Sequence, residues 1–367
     1  MKIRFNRISL QESLGFVASI VPSKSPKPIL QCIKLVADEN GVRLSSTDLE
    51  VGINFLIVQA EVDRPGAVVI PASKVNAIVR ESIDDVLEFE ADESEVHIRG
   101  NDSHFSIYSH QPEQYPEVVC EAAESDIGIA LGSLQEGVEQ TLFAAAKESS
   151  KYAFNGVLWE LDENYLNLVA TDGRRLVRKM VELDVPMPEN YIGKRIIMPT
   201  KTMTLIDRIG GSLKETVGVK FFDNHVVLSC GDVLIHSNLI DGVFPRYQDI
   251  IPENNDKIIK INTDAMLSAV RRSALLANED SRSIKVAIGK GVMVFSGRAP
   301  ETGDAQVDMA IEYDGPAIDV GFDPTYLIEG LKVIKQDQVS FELCDGERPV
   351  LIRGGDNFIY LIMPIDY

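Results

Sequence analysis

The sequence predicts an α+β protein built from three copies of one unit, each with two helices and roughly eight strands. The first observation is that three passages with apolar residues at helical spacing begin at Ser9, Ser133 and Asn262, residue types that often cap helices. In the first two passages, "SLQE" also fits a capping box. The second observation is that each passage is followed by alternating apolar segments around a turn, as in "CIKLVADENGVRLSSTD", which predicts a hairpin.

The spacing of shared residues sets the register of the three copies. Thr47-Asp48 recurs as Thr171-Asp172, 124 residues later. The prolines that precede the second helical segment are Pro71, Pro199 and Pro324. We therefore expect domains of ordinary size at residues 1–122, 123–253 and 254–367, with polar, acidic joins. Because free strand edges invite pairing, one copy can continue the sheet of the next, and ring closure would remove the last edges.

Composition limits the class of protein. The chain has 367 residues, a formal net charge of −20 and 45% hydrophobic residues, which indicates a globular protein of about two or three domains. No apolar stretch approaches the roughly 18 residues of a membrane span, and the first residues lack a signal-peptide pattern. We therefore expect a cytoplasmic protein without membrane contact. The cysteines stand singly at Cys32, Cys120, Cys230 and Cys344, which favours buried reduced thiols over disulfides or zinc.

The charges are distributed unevenly among the predicted elements. Turns and linkers are acidic, whereas basic residues recur in the second helical segment of all three copies. Lys201 and Arg208 lie seven residues apart and so share a helical face. These residues fit either a solvated helix face or, if all helices face one way, a basic surface on an acidic chain. A basic surface without base-reading side chains would hold nucleic acid through its phosphates, independently of sequence.

Motifs of catalysis are missing from the sequence. No G-x-S-x-G, H-E-x-x-H or P-loop pattern occurs, and the five histidines come without a metal-binding set. We therefore expect no catalytic residue, no metal site and no cofactor. The stretch "VATDGRRLV" fits a catalytic carboxylate at Asp172, an anion site or a hairpin turn. Its Thr-Asp pair recurs in the first copy, which favours a turn in which Asp172 bonds backbone N–H groups and Gly173 lets the chain take a positive φ or approach a neighbour closely.

The chain resembles the bacterial replicative sliding clamp, the beta subunit of DNA polymerase III, over its whole length. The pieces that carry the resemblance are "SSTDLEV", "YAFNG", "VATDGRRL", "LIDGVFPRYQDIIP", "ALLANE", "VGFDPTYLIEGL" and "YLIMPIDY". The resemblance implies the DNA clamp fold and a head-to-tail homodimer, a six-domain ring around duplex DNA without catalytic activity. Its implied partners are the DNA polymerase III alpha subunit, other polymerases and repair proteins with short clamp-binding peptides, and an ATP-driven clamp loader complex.

The resemblance also implies site residues. The partner-peptide pocket between the second and third copies comprises Phe154, Thr171, Gly173, Arg174, Arg175, Leu176, Pro245, Ile250, Tyr326, Leu361, Ile362, Met363, Pro364 and Ile365. The DNA contacts are Lys24, Lys74, Arg80, Tyr152, Lys201, Arg208 and Lys332. The dimer contact brings Phe105 and Ile107 of the first copy to Leu275 and Leu276 of the third copy in the partner. Three acids, Asp249, Asp323 and Asp366, depart from the family pattern. We therefore expect this chain to rank partner peptides differently.

Three hypotheses therefore remain open from the sequence. The first is the sliding clamp, and the second is a peptide-binding repeat scaffold that does not encircle DNA. The third is a carboxylate-dependent hydrolase around Asp172, although no base, nucleophile or metal set accompanies that acid. The residues Gly173–Leu176 occur only in the second copy, so we interpret them as the part of the turn to which recognition was added.

Overall fold

A computed structural model describes residues 1–92, 94–118, 124–148, 153–277 and 283–367. Within these residues the chain forms six α-helices and 25 strands, and all paired strands run antiparallel. Each predicted copy contains two of the helices and eight or nine of the strands, so the predicted α+β repeat is confirmed. No helix in these ranges is long and apolar enough to cross a membrane.

The first copy contains two helices and nine strands in the described residues. Its helices are α1 (Arg7–Val17) and α2 (Ala72–Glu81). Its strands are β1 (Lys2–Asn6), β2 (Cys32–Asp38), β3 (Gly41–Thr47), β4 (Val51–Ile57), β5 (Glu61–Arg64), β6 (Gly66–Pro71), β7 (Val86–Ala91), β8 (Glu95–Arg99) and β9 (His104–Tyr108). The helices α1 and α2 contact each other.

The second and third copies follow the same order, helix after the first strand and helix after the fifth. The second copy comprises β10 (Ile127–Ala130), α3 (Leu131–Leu142), β11 (Gly156–Leu161), β12 (Tyr165–Thr171), β13 (Arg175–Glu182), β14 (Arg195–Pro199), α4 (Thr200–Asp207), β15 (Thr216–Phe221), β16 (His225–Cys230) and β17 (Val233–Asn238). The third comprises β18 (Lys257–Asn262), α5 (Thr263–Ala274), β19 (Ile284–Gly289), β20 (Val292–Ala299), β21 (Gly303–Ala310), β22 (Ile318–Phe322), α6 (Pro324–Val333), β23 (Gln338–Leu343), β24 (Val350–Arg353) and β25 (Phe358–Ile362).

The chain groups into two compact units that do not follow the three predicted domains. One unit comprises residues 1–132 and 201–239, and the other comprises 133–200 and 240–367. The middle copy is divided between them because its strands pair with strands of both neighbouring copies. The domain bounds 1–122, 123–253 and 254–367 describe the sequence repeat and stay a prediction.

In the first unit, an eight-stranded sheet joins two copies edge to edge. Its order is β10-β15-β16-β17-β4-β3-β2-β6, and the central pair β17–β4 places Ile235 opposite Ile53. A separate five-stranded sheet has the order β5-β1-β7-β8-β9. The expectation that one copy continues the sheet of the next is therefore confirmed here.

The second unit has the same construction. Its eight-stranded sheet has the order β14-β11-β12-β13-β25-β24-β23-β18, and the pair β13–β25 joins the second copy to the third. The remaining sheet is β21-β20-β19-β22. Alternating side chains of the large sheet build a buried core that includes the single tryptophan, Trp159. Both units thus bury a joint between copies inside a continuous sheet.

Two of the three predicted helix starts were wrong. The helix α1 begins at Arg7, and its cap is Asn6, whose side chain accepts a hydrogen bond from the Ser9 N–H at 3.1 Å. Ser133 likewise lies inside α3, so neither "SLQE" is a capping box. The reason is that β1 and β10 run directly into their helices, so each helix begins two residues before the predicted serine. Asn262 does cap α5, as predicted, and accepts from the Ala265 N–H at 2.9 Å.

Candidate functional site

The turn from Thr171 to Arg175 joins β12 to β13 and is closed by its own side chains. The Thr171 hydroxyl donates to the Arg175 carbonyl at 2.6 Å and accepts from the Gly173 N–H at 3.0 Å. The Asp172 carboxylate accepts from the N–H groups of Arg174 and Arg175 at 2.9 and 3.1 Å. Both side chains satisfy backbone groups, which is the structural role predicted for the Thr-Asp pair.

The first copy repeats this turn bond for bond. The Thr47 hydroxyl donates to the Val51 carbonyl at 2.8 Å and accepts from the Leu49 N–H at 2.9 Å. The Asp48 carboxylate accepts from the N–H groups of Glu50 and Val51 at 3.0 and 2.8 Å. The Thr-Asp pair is therefore repeat architecture, and Asp172 is engaged in the way a turn acid is, rather than as a free catalytic carboxylate.

The two turns differ at the residue after the aspartate. Gly173 has φ 89°, so the predicted left-handed conformation is confirmed. Leu49 takes the same position with φ 81° and is the one residue other than glycine with a positive φ in the described ranges. A Cβ atom on Gly173 would lie 3.7 Å from the Phe154 ring, an ordinary contact. Conformation rather than crowding therefore favours glycine in the second copy.

Arg175 is buried at 7% exposure, and the fold uses its whole guanidinium group. Its Nε donates to Asp172 at 3.0 Å, and Nη2 donates to the Phe143 carbonyl at 2.7 Å. Its Nη1 donates to the Glu329 carboxylate of α6. The guanidinium carbon lies 4.6 Å from the centre of the Tyr326 ring. Arg175 thus ties the turn to α6, and its burial places the guanidinium group inside the fold rather than on the surface.

The apolar floor of the candidate groove forms where β13 pairs with β25. Leu176 lies opposite Leu361 in that pair, and both belong to one buried cluster with Phe244 and Tyr247. Phe154 is half-buried, and its ring centre lies 6.1 Å from that of Phe244, edge to face. Four side chains distant in sequence from Leu176 thus complete one apolar surface.

Strand alternation divides the predicted pocket residues between two faces. Ile362 is fully buried and pairs with Arg175, one step along from the pair of Leu176 with Leu361. Successive residues of a strand face opposite sides, so Ile362 and Arg175 lie behind the groove floor. We leave both out of the proposed peptide contact. Thr171 is buried at 3% and acts through its turn hydrogen bonds.

The remaining predicted pocket residues lie at the margin of the floor. Ile250 is 49% exposed, and Pro245, Pro364 and Ile365 are half-buried. The terminal segment is held by backbone hydrogen bonds, from the Met363 N–H to the Arg174 carbonyl at 2.9 Å and from the Ile365 N–H to Gly321 at 3.0 Å. Met363 is 39% exposed to solvent, and the Arg174 side chain is exposed as well. The candidate groove is therefore apolar, and Arg174 lies exposed at its edge.

The three acids that depart from the family pattern have different environments. Asp323 caps α6, because its carboxylate accepts from the Thr325 N–H at 2.8 Å. Asp249 and Asp366 are exposed, the first in a 3₁₀ turn (Tyr247–Ile250) and the second beside the terminal residue. Asp323 is thus explained by the fold, whereas the other two are free to act on a ligand.

The predicted DNA-contact residues differ in whether a nearby acidic side chain already neutralises their positive charge. Lys24, Lys74 and Lys332 are exposed. Lys201 forms an ion pair with Asp48, whose side chain is only 13% exposed. This pair links the start of α4 to the Thr-Asp turn of the first copy. Lys201 therefore stabilises the joint between two copies, in addition to any role on DNA.

Arg80 and Arg208 also have acidic neighbours. The Arg80 Nε lies 3.0 Å from the Glu81 carboxylate. Arg208 directly follows Asp207, the last residue of α4, and its N–H donates to the Leu205 carbonyl at 3.0 Å, so the face it shares with Lys201 stays a prediction. It lines a cleft of about 730 Å³ with Glu215 and Asp232. Tyr152 lies outside the described residues.

The helices do not account for the excess of acidic residues in the chain. The six helices carry basic and acidic side chains in equal number, Arg7, Lys74, Arg80, Lys201, Arg271, Arg272 and Lys332 against Glu12, Glu81, Glu136, Glu139, Asp207, Asp264 and Glu329. The formal charge of −20 therefore resides in strands and loops. Helices and turns differ in net charge, as predicted. The helices are neutral overall, however, rather than basic.

The predicted dimer residues are partly exposed in the single chain. Phe105 is 39% exposed on β9, whereas Ile107 is buried at 8%. A groove of about 570 Å³ runs between β9 and α2. Leu275 is 80% exposed directly after α5, and Leu276 is half-buried. At that exposure, Leu275 is not packed inside its own domain.

The cysteines agree with the sequence analysis where they are described. Cys32 and Cys230 are buried free thiols, and Cys344 is half-buried. Burial, with Glu215 nearby, raises the pKa of the Cys230 thiol to about 11, so this thiol is protonated at neutral pH. Cys120 lies outside the described residues.

Comparison with known proteins accounts for the whole chain. Three family models match, described as the N-terminal domain of the DNA polymerase III beta subunit at residues 1–119, its central domain at 129–246 and its C-terminal domain at 248–366. The beta sliding clamp of Caulobacter vibrioides is 31% identical over 378 residues, with 100% of both chains covered. The chain belongs to the DNA polymerase III beta subunit family.

Solved structures of beta sliding clamps agree with the fold. The DNA polymerase sliding clamp of Bacillus subtilis is 26% identical with a TM-score of 0.93, covering 100% of this chain and 99% of that one. The DnaN sliding clamp of Pseudomonas aeruginosa, solved with bound griselimycin, is 27% identical with a TM-score of 0.92, and both chains are covered fully. The function of the chain is that of a DNA sliding clamp, and the scaffold that does not encircle DNA is not favoured.

Several residues that build the clamp groove were missed in the sequence. Phe244 and Tyr247 form part of its floor, and the Tyr247 hydroxyl donates to the Glu160 carboxylate at 2.6 Å. Burial raises the pKa of Tyr247, and that hydrogen bond adds to the effect. The "FPRY" segment was the signal for both aromatic residues. Glu329 had no comparable signal, because its partner Arg175 lies 154 residues earlier.

Proposed function

We propose that two copies of this chain close head to tail into a six-domain ring around duplex DNA. Each joint between copies inside the chain is an eight-stranded sheet made of two half-sheets. This construction leaves the five-stranded sheet that ends in β9 and the four-stranded sheet that ends in β21 without such a neighbour. Joining these two sheets between chains would repeat the same joint and cover two strand edges. This pattern is the observation that carries the proposal.

The exposed apolar residues support the same contact. Phe105 lies on β9, and α5, which ends just before Leu275, contacts β21. Two short apolar surfaces therefore flank the strand edges that would pair. Aromatic and aliphatic side chains of this kind form the core of stable interfaces.

The proposed ring holds DNA by its phosphates. Of the predicted contacts, Lys24, Lys74 and Lys332 are the exposed lysines, and we assign them the largest share of the binding. Lys201 and Arg80 contribute less, because each forms an ion pair with an acidic residue. Arg208 lines a cleft together with Glu215 and Asp232, which lowers the positive potential there. Binding of this kind is independent of sequence and sensitive to salt, which lets a ring slide.

The groove of the second unit is proposed to bind partner peptides. Its floor comprises Leu176, Leu361 and Phe154, with Met363 and Ile250 exposed at the margin. An apolar floor with few polar groups suits a short peptide with apolar anchors. The partners would be the DNA polymerase III alpha subunit, other polymerases and repair proteins, and a clamp loader complex that opens the ring.

We further propose that the protein has no enzymatic activity of its own and works in the cytoplasm, where bacterial DNA is replicated. The hydrolase hypothesis has little support, because Asp172 accepts two backbone hydrogen bonds and one from the Arg175 Nε. An acid engaged in this way has its charge compensated and is held in place by the turn.

A topological experiment tests the ring. The protein is loaded with a clamp loader and ATP onto a nicked circular plasmid, and the complex is separated from free protein by gel filtration. We expect retention on the circle and release once a restriction enzyme linearises it, because a ring can slide off an end. Release from circle and linear DNA at equal rates would contradict encirclement. A scaffold that only binds peptides would bind a polymerase-derived peptide but fail retention on the circle.

A further inference from the structure

Two histidines lie side by side on the solvent-facing side of the five-stranded sheet. His97 belongs to β8 and His104 to β9, and the His104 Nε2 lies 3.3 Å from the His97 Nδ1. Their ring centres are 5.3 Å apart. Across the strands, His97 pairs with Ser106 and His104 pairs with Arg99, so the histidines are diagonal neighbours on one face.

The nitrogen separation suits one metal ion. Zinc binds histidine nitrogens at about 2.1 Å. Two nitrogens 3.3 Å apart that both lie at that distance from one ion subtend an angle of roughly 104°, near the tetrahedral value. In a direct hydrogen bond between the rings, one ring nitrogen donates a proton to the lone pair of the other. A metal ion between the rings would instead bind the lone pairs of both nitrogens.

A carboxylate stands where it would orient one of the ligands. The His97 Nε2 lies 3.7 Å from the Asp92 carboxylate. A proton held on that nitrogen leaves the Nδ1 lone pair directed at His104. Metal-bound histidines commonly hydrogen-bond their second nitrogen to a carboxylate, which fixes the tautomer and strengthens the ligand. At 3.7 Å the contact is an ion-pair distance, and a small rotation of either side chain would make it a hydrogen bond.

The charges around the pair are compatible with a cation. Glu95 lies two residues before His97 on the same face, and its carboxylate accepts from the Ser106 hydroxyl. The nearest cation, Arg99, is neutralised by Glu90 at 2.7 Å and by a second glutamate on β7. Within the described residues, no three His, Cys, Asp or Glu side chains are grouped to hold a metal ion by themselves. Water or another chain must therefore supply the remaining ligands.

We propose that His97 and His104 form a two-histidine site for a divalent transition-metal ion such as Zn²⁺, with Asp92 as the residue that orients His97. This departs from the sequence expectation of no metal site, which rested on the lack of a close motif. The proposal is independent of ring formation. Because His104 lies on β9 beside Phe105, a bound ion would also stiffen the strand proposed for the contact between chains.

Titration of the full chain with ZnCl₂ tests the site, with binding followed by calorimetry and by NMR signals of the histidine rings. We expect one equivalent to bind and to shift the His97 and His104 signals. His104→Gln should abolish this binding, and Asp92→Asn should weaken it by about tenfold, as loss of an orienting carboxylate does. His110→Gln is the matched control, since His110 is also exposed and follows β9 closely.

The proposal is overturned if the wild-type chain binds Zn²⁺ no more tightly than the double variant His97→Gln/His104→Gln. It is overturned as well if His110→Gln loses as much binding as His104→Gln. Circular dichroism establishes that each variant is folded, and both histidines lie on the solvent side of the sheet, where glutamine fits. Failure here leaves the plasmid-retention result untouched, so the two proposals are tested separately.

Discussion

Leu49 and Gly173 occupy the same position of the same turn, 124 residues apart, with φ angles of 81° and 89°. A left-handed conformation costs a side chain with a Cβ atom roughly 1 to 2 kcal/mol, and glycine almost nothing. The first copy bears this cost and exposes half of the Leu49 side chain. The second copy avoids it with Gly173, where a Cβ atom would lie 3.7 Å from the Phe154 ring.

Gly173→Ala should lower the free energy of unfolding of its unit by about 1 kcal/mol, because alanine is strained at this φ. Leu49→Gly should change stability little or raise it slightly, since relief of strain offsets the added freedom of the unfolded chain. Urea unfolding followed by circular dichroism measures both. Gly210→Ala is the control, because Gly210 has free space around it and no positive φ. Equal losses at Gly173 and Gly210 would contradict the role of the left-handed turn.

Arg175→Met should destabilise the chain by about 3 kcal/mol, because it leaves Asp172 and Glu329 without their buried partner. Arg174→Met should leave stability within about 0.5 kcal/mol, since the side chain is exposed. The thermal unfolding midpoint distinguishes the two variants. Binding of a fluorescent clamp-binding peptide to Arg174→Met then reports on recognition alone. If Arg174→Met were the more destabilising change, the assignment of the two arginines would be reversed.

Lys74→Gln and Lys332→Gln should each reduce the slope of log binding constant against log salt by about 0.9. Each removes one exposed cation proposed to meet a phosphate. Anisotropy of a labelled DNA duplex over a range of NaCl concentrations measures the slope. Lys290→Gln, at the tip of the β19–β20 hairpin, is a matched control that should not change it. Lys201 is a poor probe, because its substitution also breaks the pair with Asp48.

Leu275→Lys should convert dimers to monomers while each chain stays folded, as circular dichroism shows. The side chain is 80% exposed in the single chain, so only a contact with another copy would desolvate it. Analytical ultracentrifugation at micromolar concentration measures the change. Val185→Lys, at a position 69% exposed, should leave the dimer intact. A dimer that survives Leu275→Lys would place the contact elsewhere.

Stability should fall as pH drops from about 7 towards 5, in part through His236. Burial, with His225 at a ring distance of 4.7 Å, lowers the pKa of His236 below its ordinary 6.5. The unfolded chain therefore takes up a proton near pH 6.5 while the folded chain does not, which favours unfolding. The loss ends below the folded pKa, where both states are protonated.

The variant His236→Gln removes this contribution. Its unfolding midpoint should change less between pH 7.5 and 5.5 than that of the wild type, by differential scanning calorimetry. His110→Gln, an exposed histidine, is the control and should keep the wild-type slope. An unchanged slope in His236→Gln would assign the pH dependence to other groups.

The features that could be predicted from the chain alone are those that depend on neighbours within a few residues. The hairpins, the threefold repeat and the Thr-Asp turn follow from alternation, glycines and short polar side chains. The left-handed Gly173 followed from its turn as well. Helix starts were less certain, because Asn6 and Ser9 both satisfy the rules for a cap and only the end of β1 decides between them.

Tertiary structure decided which side chains remain free to act. Arg174 and Arg175 are adjacent and alike in sequence, yet one is exposed and the other is held by an acid 154 residues away. Ile362 and Leu361 are equally apolar, and only strand pairing with β13 assigns them to opposite faces. Partners so distant in the chain meet through sheet register and packing, which no local pattern encodes. The resemblance of the sequence therefore named the residues of the proposed groove, whereas the fold decided which of them are exposed and which are buried as support.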